Sequence, residues 1–185
     1  ILTLKGTPFL YYGEEIGMVG AKPDEKLRTP MQWSGESGAG FSGCQPWQAP
    51  NRDYPVVNVA AQTDDPNSLL SHYRELIRFR QAHPALLTGG MTVLRSTNNG
   101  VHAYIRHAPE HDLLVLVNLT DSPISNYSLS TEASDLTQLA DSAMELWAGV
   151  PAQPLPSIDA AGGFAGYTPI ETLAPYSGYV VQLNP

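Results

Sequence analysis

The sequence predicts an α+β chain: a short buried strand, a long irregular loop and one amphipathic helix, followed by an antiparallel β-sandwich. Three observations predict it. Phe9-Leu10-Tyr11-Tyr12 is an unbroken apolar run ending at Gly13, the pattern of a strand covered on both faces. Leu69, Leu70, Tyr73, Leu76 and Ile77 recur at helical spacing, as one apolar stripe. After Gly89-Gly90, short apolar runs alternate with turn signals and no helical stripe returns, which reads as all-β.

Each element follows from local chemistry. Pro8 can open the strand because its first position need not donate to the ladder, and Gly13 permits the sharp turn into Glu14 and Glu15. Those neighbouring carboxylates invite a catalytic reading. Adjacent residues at a strand end point to opposite faces, however, whereas two carboxylates that share one catalytic step must face the same reacting group. Residues 16–65 lack periodicity and are too many for an idle connection, so they read as a site-forming loop. Asp65-Pro66 offers an N-cap and a proline at the first helical position. Arg74, Arg78 and Arg80 fall on the polar side of the helix, the last two where its dipole favours positive charge. Pro84 stops it soon after His83. Strands are expected at 91–95, 101–106, 113–119, 144–147 and 178–183, with turns at Asn98-Asn99-Gly100 and Pro109-Glu110-His111-Asp112. The spacing suits a sandwich of about six to eight strands. Residues 151–156 form a proline-rich connector.

Composition narrows the function. The net charge of −8 is uneven. Residues 1–87 hold 8 Lys and Arg against 9 Asp and Glu, and residues 88–185 hold 2 against 9. The second part is therefore no nucleic-acid binder, since phosphate neutralisation needs clustered Lys and Arg. No apolar run approaches the ~20 residues of a membrane span. The opening residues 1–4 lack the charged region and cleavage site of a signal peptide, so localisation stays open between cytoplasm and exterior. Cys44 is the single cysteine and reads as an ordinary small loop or core residue. His107 and His111 flank a hairpin turn without a clear third ligand, and read as a solvated turn rather than a metal pair. Asn118-Leu119-Thr120 and Asn126-Tyr127-Ser128 match glycosylation acceptors, a short match of little meaning by itself.

Four motifs carry a resemblance. They are the run from Gly6 to Met18, Arg28-Thr29-Pro30-Met31-Gln32-Trp33, Gly38-Ala39-Gly40-Phe41-Ser42 and Asn58-Val59-Ala60-Ala61-Gln62. In order and spacing they resemble the alpha-amylase family of glycoside hydrolases, in its alpha-glucosidase, oligo-1,6-glucosidase and trehalose-synthase branches. Residues 20–26 look more like certain bacterial alpha-amylases. The resemblance is close over about residues 1–90 and looser beyond. It implies that residues 1–87 are the C-terminal end of a (β/α)8 catalytic barrel, with residues 1–4 closing its seventh helix, and that 88–185 are the C-terminal sandwich. At 185 residues the chain is short of the ~250 of a complete barrel, which agrees with a C-terminal fragment.

The resemblance also implies an activity: hydrolysis or transglycosylation of alpha-glucosidic bonds by the retaining, two-carboxylate mechanism. Its three catalytic carboxylates sit on earlier barrel strands. No catalytic residue, metal or cofactor is thus expected in this chain, and alone it should be inactive. Substrate contacts are expected from Arg28, Glu15 and Trp33. The arginine of the Arg-Thr-Pro-Met-Gln-Trp motif approaches the non-reducing end of the sugar in the glucosidase branches. A guanidinium fork can hold a carboxylate and sugar hydroxyls together; the alternative is a structural loop arginine. Trp33 and Trp47 are open to two readings, loop anchors or platforms for a glucose face. The competing class is a non-catalytic carbohydrate-binding or structural sandwich module. The expected partners are an alpha-glucan or oligosaccharide in the parent enzyme, no nucleic acid and no membrane. Residues 1–87, short of barrel neighbours, are expected either to pair as a homodimer or to dock on their own sandwich.

Overall fold

The computed structural model describes residues 1–134, 136 and 143–183. It combines helices with two antiparallel sheets and separates into two compact units. One comprises Ile1, Thr3–Gly6 and everything from His83 onward; the other comprises Leu2 and Thr7–Ala82.

The first unit holds the strands β1 (Gly90–Val93), β2 (Arg95–Ser96), β3 (Val101–His107), β4 (Asp112–Asn118), β5 (Leu129–Thr131), β6 (Met144–Glu145), β7 (Phe164–Tyr167) and β8 (Ser177–Gln182). They form a five-stranded sheet in the order β1-β3-β4-β8-β6 and a three-stranded sheet in the order β2-β5-β7. Every pairing is antiparallel. Alternation decides which side chains meet. Val101, Ala103 and Ile105 of β3, Leu114 and Leu116 of β4, and Tyr179 and Val181 of β8 join Leu129, Phe164 and Tyr167 of the smaller sheet in one core. Leu113 and Val115, on the opposite face of β4, are buried as well, which accounts for the unbroken apolar run there. Of the tyrosines a sugar platform in this unit would require, Tyr104, Tyr127, Tyr167 and Tyr179 are buried and Tyr176 alone is exposed.

A fully buried cation ties the first unit together. Arg106 donates to Thr3 O at 2.7 Å, Gly89 O at 3.2 Å and Gly90 O at 3.2 Å, so its charge is met by carbonyl dipoles. Gly89 cannot be replaced freely, because a Cβ there would lie 2.2 Å from His107 O and 2.3 Å from Ala85 O. His107 and His111 correct the solvated-turn reading. His107 Nδ1 lies 2.9 Å from Asp112 Oδ1 and its Nε2 2.9 Å from Thr92 Oγ1, all at the buried end of β3. His111 Nε2 is enclosed without a hydrogen-bond partner, and the ring meets His83 edge-on at 5.8 Å.

In the second unit the helices are α1 (Val59–Thr63) and α2 (Leu69–Ala82); α3 (Pro84–Leu87) belongs to the first. Short 3-10 turns occupy Glu14–Ile16, Asp24–Leu27 and Ser37–Gly40, so the stretch read as irregular carries local structure and α1. The expected helix is present but begins later than Asp65-Pro66. Ser68 Oγ accepts from Ser71 N–H at 3.2 Å in N-cap geometry, while Asp65 Oδ1 accepts from Asn67 N–H at 2.9 Å in the preceding turn. Pro84 does not merely stop α2, since it occupies the first turn of α3, where its missing N–H costs nothing.

Three further expectations are corrected. Arg80 is not on a solvated face: it is buried and donates to Leu2 O at 2.6 Å. Residues 1–4 form one turn, closed by Leu4 N–H to Ile1 O at 3.3 Å, rather than a helix end. The run 9–12 forms no strand, and Phe9 is 83% exposed. A strand exists by its ladder, and no described strand lies beside this run to supply one. None of the described helices is long and apolar enough to cross a membrane.

Candidate functional site

The loop that carries the candidate residues is held by side-chain amides. Gln32 is fully buried. Its Nε2 donates to Val57 O and, at 3.4 Å, to Asp53 Oδ1, while Oε1 accepts from Asn51 Nδ2 at 3.4 Å. Asn51 reaches on to Val19 O at 2.6 Å. Thus three separated parts of the loop are joined around one amide.

The start of α1 closes the same knot. The first helical N–H groups lack intrahelical partners, and here each finds one. Val59 N–H donates to Gln32 O at 2.9 Å, Ala60 N–H to Trp33 O at 3.0 Å and Ala61 N–H to Asn58 Oδ1 at 2.8 Å. Asn58 is the N-cap, and its Nδ2 also donates to Tyr54 O at 2.8 Å. One turn later Gln62 donates to Ile16 O at 2.9 Å and accepts from Leu70 N–H at 3.1 Å. The Asn58-to-Gln62 motif therefore reads as scaffold: it joins the Glu14–Ile16 turn to both helices. Below it Ile16, Met31 and Leu70 make a small apolar core.

On this scaffold Glu15, Arg28 and Trp33, the three residues singled out from the sequence, line one cavity of about 410 Å³ together with Tyr12, Phe41 and Trp47. That size falls in the ~300–1,000 Å³ range of ligand pockets. Glu15 Oε2 accepts from Gly13 N–H at 2.8 Å, which fixes its carboxylate over the turn. Tyr12 donates its hydroxyl to Thr29 O at 3.0 Å. Burial raises the Tyr12 pKa, as does the neighbouring Tyr11, while the Arg28 charge opposes the shift. On α2, Tyr73 is raised by burial and then by the charges of Glu14 and Glu15. Both phenols are accordingly neutral hydrogen-bonding groups at physiological pH.

A second cavity of about 480 Å³ shares the wall of Tyr12, Arg28 and Thr29, and Glu14, Lys22 and Asp24 also line it. Glu14 and Glu15 thus face different cavities. Cys44 is exposed, and its N–H donates to Ser42 Oγ at 3.0 Å. Phe41 and the amides of Gln32, Asn58 and Gln62 were not singled out individually in the sequence. An Asn immediately before a helix was the available signal for the cap; the contacts of Gln32 have no local signature.

Residues 1–89 match the family model for the alpha amylase catalytic domain. Alpha-amylase 3 of Dictyoglomus thermophilum is 36% identical over 120 residues, which take in 64% of this chain and 24% of that protein. The oligo-1,6-glucosidase of Heyndrickxia coagulans is 31% identical over 159 residues, covering 66% and 29%. Among solved structures, the trehalose-6-phosphate hydrolase of Bacillus licheniformis aligns with the whole of this chain and 37% of its own, with a TM-score of 0.71 and 23% identity, a likeness of fold. The chain spans between about a quarter and two fifths of the length of these proteins. Through its first 89 residues it is a member of the alpha-amylase family of glycoside hydrolases.

Proposed function

We propose that this chain is the C-terminal part of a retaining alpha-glucoside hydrolase or transglycosidase. In that reading residues 1–87 end its (β/α)8 barrel, residues 88–185 form its sandwich domain, and Arg28, Glu15 and Trp33 bind the sugar. The observation that carries it is the convergence of those three residues, which come from two motifs of one irregular loop, on one aromatic-walled cavity. A guanidinium, a carboxylate and indole rings are what a hydroxyl-rich ring with apolar C–H faces requires. Catalysis is assigned to carboxylates outside this chain. Glu14 lines the other cavity and Glu15 is bound to the Gly13 N–H, so the two do not form an acid and nucleophile facing each other across a sugar.

The test is turnover of nitrophenyl alpha-glucoside and maltooligosaccharides by the purified chain. No turnover is expected. Activity abolished by Glu14→Gln or Glu15→Gln would overturn the reading.

A further inference from the structure

We infer that Asn99 is a site of spontaneous covalent modification, converting to aspartate and isoaspartate, and that the Asn98 side chain sets its rate; the inference is independent of the carbohydrate reading. Asn99-Gly100 is the single Asn-Gly pair in the chain. It forms the tip of the turn between β2 and β3, within the first unit. Asn99 is exposed there, and among the described residues no group holds its amide.

The reaction needs only water. The backbone nitrogen of Gly100, losing its proton, attacks Cγ of Asn99; the Cγ–Nδ2 bond breaks and ammonia leaves with that proton. One water then opens the five-membered succinimide at either carbonyl, which gives aspartate or links the chain through the side-chain carbon as isoaspartate. Nothing is oxidised or reduced. A side chain on the following residue hinders the closure, and glycine has none.

Packing is what puts a glycine there. Gly100 does not take a left-handed conformation, so the backbone of the turn would accept another residue. A Cβ, however, would lie 2.6 Å from Thr120 Cγ2 and 3.0 Å from Ile124 Cδ1, in the segment that follows β4. The fold thus requires at position 100 the residue least able to shield Asn99. Asn126 is exposed too, but it is followed by the buried Tyr127, whose side chain obstructs the same closure.

The attacking nitrogen is restrained. Gly100 N–H donates to Asn98 Oδ1 at 2.9 Å, and Gly100 O accepts from Leu119 N–H at 3.2 Å. Asn98 is seated in turn: its N–H donates to Ser96 Oγ at 3.1 Å and its carbonyl accepts from Val101 N–H at 3.1 Å. A side-chain oxygen bonded two residues ahead is ordinary turn chemistry. Here it also occupies the one nucleophile that Asn99 can meet. Ring closure must turn the Gly100 nitrogen toward Asn99 and forfeit the bond to Asn98, so the folded chain reacts only through local opening of this turn.

The experiment holds the purified chain in mildly alkaline buffer beside a guanidinium-unfolded sample until Asn99 of the unfolded sample is half converted. Peptide mapping by mass spectrometry then measures aspartate and isoaspartate at every asparagine. Asn99 is expected to lead, and to react more slowly folded than unfolded. The measurement is repeated for Asn98→Ala and Asn98→Asp, each rate being divided by that of the same variant unfolded so that local sequence effects cancel. Circular dichroism confirms that both are folded. Asn98→Ala should speed the folded reaction about two- to tenfold, the net worth of one hydrogen bond expressed as a rate, whereas Asn98→Asp keeps the acceptor and should not speed it. Conversion led by Asn67 or Asn126, a folded rate equal to the unfolded one, or an Asn98→Ala variant no faster than the parent chain would each overturn the inference.

Discussion

Replacing Gln32 with leucine should unfold the candidate site before it disturbs the β-sheets. The substitution keeps most of the volume and removes an amide that bonds Val57 O, Asp53 Oδ1 and Asn51 Nδ2. Gln32 is fully buried and Val57 half-buried, so a Val57 O that faces an apolar side chain in place of its donor loses about 1–3 kcal/mol. Asp53 and Asn51 are half-buried and can turn to water, which limits their joint loss to about 1 kcal/mol. The sum is about 2–4 kcal/mol. Trp33 and Trp47 lie in the affected unit and Trp147 in the other, so urea unfolding followed by fluorescence in a Trp147→Phe background reports the affected unit alone. With a urea slope of about 1.5 kcal/mol/M for a unit of this size, the midpoint should fall by about 1–3 M. Gln32→Glu should be at least as damaging, because it places a carboxylate beside Asp53 and still cannot donate to Val57 O. A midpoint lowered by less than about 0.3 M in both variants would show that this amide does not hold the loop.

Two further outcomes are expected. In a protein that carries the complete catalytic barrel, Arg28→Ala should raise KM on short alpha-glucosides by the ~1.5–3 kcal/mol of a hydrogen bond to a charged group; unchanged kinetics with unchanged stability would make Arg28 a loop residue. Tyr127 donates to Ile170 O at 2.6 Å, and burial raises its pKa to about 12 from 10.0. Because the folded value is the higher one, its contribution is complete below pH 10 and is lost as pH rises toward 12. Alkaline unfolding monitored by circular dichroism should steepen in that window and flatten in Tyr127→Phe, and an identical pH profile for both proteins would refute the assignment.

What the sequence by itself determined is what short-range chemistry determines. The stripe from Leu69 to Ile77 marks α2 because helix bonds are local, and β3, β4 and β8 are legible because each is an apolar run between turn signals. Motif spacing pointed to the family and to Arg28, Glu15 and Trp33. Tertiary structure decided the rest. The run 9–12 reads as a strand on composition, yet a strand needs a neighbour's ladder, and here these residues are exposed. Leu129–Thr131 and Phe164–Tyr167 are too short to announce themselves, and become strands β5 and β7 only by pairing across more than thirty residues. Arg80 and Arg106 look like surface charges until carbonyls from distant segments gather around them. The cavity has the same origin. Its residues come from three of the motifs and from Trp47 beyond them, and the amides of Gln32, Asn58 and Gln62 draw the intervening chain together through bonds spanning up to 46 positions, contacts that no local pattern encodes.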